Sequence, residues 1–112
     1  MDIYEIEDKY ARRENRWPVF WKFLHVISIM YDEDFSDHYQ EFMEQNLPYM
    51  IPCENCADEY MQYIELNPID YSSRDNFVKW MLDFHNFWNK KKGVKEYTLE
   101  EMLEAMDEWS CA

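Results

Sequence analysis

Gly93 is the only glycine in a chain of 112 residues. Glycine supplies the positive-φ positions that tight hairpins and phosphate-cradling loops need. Its near absence therefore disfavours GxGxxG turns, Walker A loops and hairpin-rich sheets. The expected fold class is all-α. At this length one domain, residues 1–112, is expected, burying roughly two-thirds of the surface that its unfolded chain exposes. Residues 1–15 precede the first strong helical pattern and read as a flexible or extra N-terminal segment.

That pattern runs from about Pro18 to Met30, where Phe20, Leu24, Ile27 and Tyr31 recur at steps of three and four and Pro18 suits the first turn. Asp32-Glu33-Asp34 ends it. Ser36 is the expected N-cap of a second helix carrying Tyr39, Phe42 and Met43 to about Asn46, followed by a non-helical connection at Pro48 and Pro52. A third helix from Cys53 to about Leu66 carries Cys56, Tyr60, Met61 and Ile64 and stops at Asn67-Pro68. Ser73 caps a fourth, whose face is Phe77, Trp80, Met81, Phe84 and Trp88, and Gly93 sits where a C′ residue belongs. Thr98-Leu99-Glu100-Glu101 has the form of a capping box and opens a short fifth helix with Met102, Leu103, Met106 and Trp109. The expected architecture is a four-helix bundle with a short fifth helix.

Eleven Lys and Arg against 24 Asp and Glu give a formal charge of −13. Such a molecule repels DNA, RNA and anionic lipid, so neither a nucleic-acid nor a membrane partner is expected. The cations are nonetheless clustered, Lys9, Arg12, Arg13 and Arg16 near the start and Lys90, Lys91, Lys92 and Lys95 near position 90. Each cluster is either a local anion site or a solvated helix end. The N-terminus is too polar for a signal peptide, and no apolar run approaches a membrane span. Three cysteines cannot all pair within one closed disulfide framework.

Pro52-Cys53-Glu54-Asn55-Cys56 places a CxxC at an expected helix N-terminus. There, unpaired N–H groups and the positive end of the helix dipole stabilise a thiolate, which suits thiol–disulfide exchange. A zinc site using Cys111 and His85 lacks paired knuckle spacing, so no metal is expected. Inert core cysteines would not explain the proline-flanked helix start, and a thioredoxin-like fold would need a βαβ unit. Trp21 and His25 stand four residues apart on one helix, and His85 and Asn89 do so on another with Asn86 beside them, so two faces could line one pocket. Taken singly, each of these is more commonly a satisfied core group.

Together these residues resemble the Erv/ALR family of flavin-linked sulfhydryl oxidases over roughly Trp17 to Tyr97. Trp21-Lys22-Phe23-Leu24-His25 looks like the family's WxxLH, and Pro52-Cys53-Glu54-Asn55-Cys56-Ala57 like its PCxxCA. Asn67-Pro68, Ser73-Arg74 and Trp80 follow the NP…SR…W stretch. His85-Asn86-Phe87-Trp88-Asn89 matches HNxxN, followed by Lys91, Gly93 and Tyr97.

The resemblance implies a four-helix bundle holding FAD, with electrons passing from substrate dithiols through the CxxC to flavin and then to O2, giving H2O2. Carried over, Cys53 is the exchange cysteine and Cys56 the flavin-proximal one. Trp21, His25, Trp80, His85, Asn86, Asn89 and Tyr97 fall at cofactor-contact positions, and Lys91 and Lys92 offset the pyrophosphate. A homodimer and a dithiol-containing protein substrate are implied as well. A viral member working in host cytoplasm or virion is one placement, and the mitochondrial intermembrane space the other.

Departures from the pattern are also visible. The glycine before the first-helix Trp is missing, with Trp17-Pro18 in that region. Leu82 and Leu99 stand where many members have a structural disulfide that could contribute about 3 kcal/mol. Val94 replaces a lysine, with Lys95 next. Cys111 is a one-cysteine shuttle, an inter-subunit disulfide partner or an unused tail thiol. The rival reading is an acidic helical interaction module with a structural or zinc-bound CxxC, and a third is a redox carrier without an oxidase cycle.

Overall fold

A computed structural model of the chain describes residues 2–10, 13–51 and 53–108, and at 7–10 and 13–16 the backbone only. Six α-helices are found among the described residues, and no strand. They are α1 (Ile3–Tyr10), α2 (Arg13–Ile29), α3 (Ser36–Glu41), α4 (Glu54–Leu66), α5 (Arg74–Lys91) and α6 (Leu99–Glu108). The four bundle members are α2, α3 with its continuation, α4 and α5, and α6 is the short fifth helix. The expected all-α bundle is present, and α1 adds a helix within the N-terminal segment.

Several helix boundaries follow from local chemistry. Ser73 Oγ accepts the Asn76 N–H at 3.1 Å and starts α5. At its other end Gly93 has φ +72°, its N–H donates to Lys90 O at 3.1 Å, and the Val94 N–H donates to Asn89 O at 2.9 Å. That pair of bonds is a Schellman cap, and it explains why the lone glycine stands at 93. The capping box at α6 closes reciprocally: the Glu101 N–H reaches Thr98 Oγ1 at 3.2 Å, and the Thr98 N–H reaches Glu101 Oε1 at 3.0 Å.

Two expectations fail. Pro18 lies inside α2, which begins five residues earlier at Arg13. A proline here has no N–H for the carbonyl one turn back, so the helix carries this defect near its start instead of opening with it. Ser36 is not a side-chain cap, because Asp32 is the effective one. The Asp32 carboxylate accepts the Asp34 N–H at 2.9 Å and opens a 3-10 turn, Glu33–Phe35, that runs straight into α3. After Glu41 the chain widens into a π-helical turn, Phe42–Asn46, and then tightens into a 3-10 turn, Leu47–Tyr49. Tyr60 of α4 donates to the Met43 carbonyl at 2.7 Å, so this wide turn is tied to its neighbour.

The core lies between α2 and α5. Trp21, Leu24, His25 and Ser28 fall on one face of α2 and are buried, as are Phe77, Trp80, Met81, Phe84 and His85 of α5, with Trp21 packed on Phe84 and His85. Tyr60 and Tyr63 of α4 pack on Phe84, and Met102 and Met106 bury α6. The opposite stripe of α2 is also apolar but open: Val19, Phe23 and, just beyond the helix, Met30 are 54%, 50% and 67% exposed.

Candidate active site

Cys53 and Cys56 are joined as a disulfide with Cα atoms 5.1 Å apart. Cys53 is the N-cap of α4, in extended backbone, and its Sγ accepts the Cys56 N–H at 3.3 Å. When the bond is reduced, this N–H and the dipole of α4 favour a thiolate at Cys53.

The two sulfurs belong to different surfaces. Cys56 lines a narrow apolar slot whose walls include Trp17, Trp21, Tyr60, Phe84 and Trp88. Cys53 lines a separate open cleft with Glu44, Tyr49, Glu54, Asp58 and Met61. Ile51 borders both. A reagent entering the cleft meets Cys53, while a group seated in the slot meets Cys56.

At the slot, α2 and α5 bring together the residues that the sequence pairs across sixty positions. Trp21 stacks on His85, with ring centroids 3.9 Å apart and planes 6° off parallel. His25 Nε2 lies 2.8 Å from His85 Nδ1, so one imidazole donates and the other accepts. Burial lowers His25 to about 4. Burial lowers His85 to about 3, with help from His25 and Lys92. Both rings are therefore neutral near pH 7, the state in which this bond can form. Ser28 Oγ donates to the His25 carbonyl at 2.7 Å.

Asn86 faces the segment after Gly93. Its amide donates to Tyr97 O at 2.7 Å and accepts the Tyr97 N–H at 2.8 Å, while Asn89 donates to Asn86 Oδ1 at 3.3 Å. This two-point clamp holds Tyr97 beside α5. Lys92 Nζ lies 5.5 Å from the Trp17 ring, at the edge of the slot. Lys91 lies 5.4 Å from the Trp88 ring and is ion-paired with Glu59 at 2.7 Å. Lys95 is engaged by Glu101.

Of the residues expected at cofactor-contact positions, Trp21 lines the slot, whereas His25, His85, Asn86, Asn89, Lys91, Lys92, Tyr97 and Trp80 do not. For Trp80 the tertiary fold shows another use. Its indole N–H donates to Asn67 O at 2.9 Å, and its ring stacks on Phe84, so it ties the Asn67-Pro68 turn to α5. The side chains of Lys9, Arg12, Arg13 and Arg16, and all of Cys111, lie outside the described residues. Sequence reasoning missed Tyr60 and Trp17 as slot walls, although the i, i+4 spacing of Trp17 and Trp21 was available as a signal. It also missed Glu59 as the partner of Lys91, which no local pattern announces.

The residues present suit a flat heteroaromatic ring with an anionic tail. The slot's aromatic walls offer stacking, and Lys92, over the Trp17 ring at the slot's edge, offers a cation. Among the described residues no group of three His, Cys, Asp or Glu could hold a metal ion, and both sulfurs a zinc site would need are in the disulfide. No helix among the described residues is long and apolar enough to cross a membrane.

Comparison with known proteins bears on the family and the fold. The chain is 32% identical over 101 residues to a probable FAD-linked sulfhydryl oxidase of Acanthamoeba polyphaga mimivirus, covering 82% of this chain and 69% of that protein. It is 32% identical over 74 residues to the mitochondrial FAD-linked sulfhydryl oxidase ERV1 of Saccharomyces cerevisiae, covering 63% of this chain and 39% of that protein, so it spans well under half the yeast protein's length. The crystal structure of the yeast Erv1 core superposes with a TM-score of 0.71 at 22% identity, covering 88% of this chain and 80% of that one, and shows the same fold. The Erv1 / Alr family profile matches residues 18–110, from Pro18 through the whole of α6, and the chain belongs to that family.

Proposed function

We propose that the protein is an FAD-linked sulfhydryl oxidase that converts dithiols to disulfides. One observation carries the reading: a single disulfide has Cys53 on an open cleft and Cys56 on an aromatic slot. The names of the viral and yeast relatives point the same way.

In this reading a substrate thiolate attacks Cys53 Sγ, the Cys53–Cys56 bond breaks, and Cys56 leaves as a thiolate. The second substrate thiol loses its proton and attacks the mixed disulfide, which frees Cys53 and releases oxidised substrate. The substrate loses two electrons and two protons, and the cysteine pair is left reduced. FAD, when bound, supplies the electron sink that reoxidises the pair and hands two electrons to O2, yielding H2O2.

The chain's own groups orient and exclude water. Trp21 lines the slot with His85 stacked on it, and the neutral His25–His85 pair ties α2 to α5. Asn86 fixes Tyr97, and Asn89, Lys91 and Lys92 would hold the phosphate end of the cofactor. Trp80 supports Phe84 from behind. A homodimer through the open apolar stripe of α2 completes the proposal, with host cytoplasm or virion as its site of action and the intermembrane space as the alternative.

Purified protein is expected to be yellow, with flavin absorbance, and to consume O2 on addition of dithiothreitol. A folded, colourless preparation that FAD cannot reconstitute would overturn the reading.

A further inference from the structure

We infer that the cleft beside Cys53 selects its substrate by charge, taking a protein segment whose cysteine pair is flanked by Lys or Arg and carries an apolar neighbour. The inference rests on the oxidase reading above and names the substrate class for that site.

Glu44, Glu54 and Asp58 line the cleft around Cys53, and among the described residues that line it none is basic. These carboxylates come from two elements, Glu44 from the π-helical turn and Glu54 and Asp58 from the first turns of α4. Glu44 is held in place, since the Tyr71 hydroxyl donates to its Oε2 at 2.9 Å. Between the acids the lining is apolar: Tyr49 and Met61 are 89% and 47% exposed, too open to be explained by packing within the chain.

Exchange begins with a thiolate arriving at Cys53, and three nearby carboxylates repel it. They also raise the pKa of any thiol brought close, which depletes the reactive form. A Lys or Arg beside the incoming cysteine reverses both effects, because it pairs with the carboxylates and stabilises the thiolate. Acidic dithiols meet the repulsion with nothing to offset it. Tyr49 and Met61 then offer a docking surface for an apolar neighbour of the cysteine.

The disulfide itself is the readout, so the test does not need the cofactor. Protein with the Cys53–Cys56 bond intact is mixed with three peptides sharing one CxxC core and flanked by Lys, Ser or Glu, then acid-quenched, alkylated and weighed. Each rate is divided by that peptide's rate with an uncharged dipyridyl disulfide, which removes differences in intrinsic thiol reactivity. At low ionic strength the Lys peptide is expected to reduce the pair about tenfold or more faster than the Glu peptide, with the gap closing as salt screens the cleft. Combining Glu44→Gln, Glu54→Gln and Asp58→Asn is expected to collapse the preference. Combining Glu100→Gln, Glu104→Gln and Asp107→Asn on α6, which changes the total charge equally, is expected to keep it. Equal rates for the three peptides, or loss of the preference in the α6 variant as well, would overturn the inference. Uncharged dithiothreitol separates the two levels. If it reduces the pair while the peptides run alike, only charge selection falls; if it fails to reduce the pair, the oxidase reading falls and takes this inference with it.

Discussion

His25 and His85, sixty residues apart in sequence, share a buried hydrogen bond of 2.8 Å between Nε2 and Nδ1. The bond requires a lone pair on one ring, so protonating both rings breaks it. Both pKa values are lowered in the folded protein, to about 4 and about 3, from an unfolded value near 6.5. Folding therefore favours the neutral rings, and this contribution is fully present above about pH 6.5 and is lost as pH falls toward 4, where the unfolded chain takes up protons first. Between pH 7 and pH 5 the loss should amount to about 2 kcal/mol per ring. Thermal melts between pH 7 and 5, where most carboxylates are still ionised, should show a falling Tm. His85→Asn should flatten the slope, and an unchanged slope in that variant would place the pH dependence elsewhere.

Cys53 and Cys56 should separate cleanly by substitution. Serine is a better N-cap than cysteine, so Cys53→Ser should leave α4 at least as stable while abolishing reduction of bound flavin by dithiothreitol. Cys56→Ser leaves Cys53 as a free thiol with no bond for a substrate to attack, so flavin reduction by dithiothreitol should be lost there too. Offered an uncharged dipyridyl disulfide instead, its Cys53 thiolate should break that bond, release one pyridinethiol and keep the other half as a mixed disulfide seen by mass spectrometry. Fast flavin reduction in Cys53→Ser would mean that dithiothreitol reduces the flavin without passing through the Cys53–Cys56 disulfide.

What was legible in the sequence was what local chemistry decides. Ser73, Gly93 and the Thr98–Glu101 box act within one turn of chain, and each is found in its expected role. Trp21, His25 and His85 were legible because helical spacing puts them on inward faces. The π-helical turn at Phe42–Asn46 was not, because its extra width is tied to a tyrosine on another helix. Ser36 misled because Asp32, four residues earlier, had already captured the turn. Trp80 falls in a matching motif, yet its indole N–H serves the Asn67 carbonyl, a bond that only the tertiary fold creates.

Gly93→Ala should cost about 1 kcal/mol and lower Tm by about 4 °C, because a non-glycine residue must be held in the left-handed region. The space around it is open, with no atom within 4 Å of an added Cβ, so the penalty is backbone conformation alone. Gly93→Asn should recover part of the loss, since asparagine tolerates that region better. A Tm equal to that of the parent for Gly93→Ala would show that the chain after α5 relaxes away from the Schellman cap.

Phe23 stands at the middle of the open stripe formed with Val19 and Met30, and it is 50% exposed while meeting Phe42 edge-on at 6.2 Å. If two copies pair through this face, Phe23→Asp places a charge at the centre of the buried contact. Light scattering should then give the mass of a dimer for the parent and of a monomer for the variant, with the far-ultraviolet circular dichroism unchanged. A monomeric parent would remove the proposed dimer.

Asn86 makes the sharpest case for a positioning role. Its two amide atoms bond the Tyr97 backbone at 2.7 and 2.8 Å, and Asn89 leans on the same side chain. Asn86→Asp is nearly isosteric, but it removes the donor and sets a carboxylate oxygen against the Tyr97 carbonyl. The lost bond and the new repulsion should cost on the order of 1–3 kcal/mol locally. Hydrogen exchange at the Tyr97 amide should stay partly protected, because Asp still accepts from it, whereas Asn86→Ala should lose that protection altogether. FAD affinity should fall about tenfold or more in both variants if the clamp sets the wall of the slot. If Asn86 instead served only as a direct contact, affinity would fall while exchange at Tyr97 stayed as in the parent, so measuring both separates the two roles.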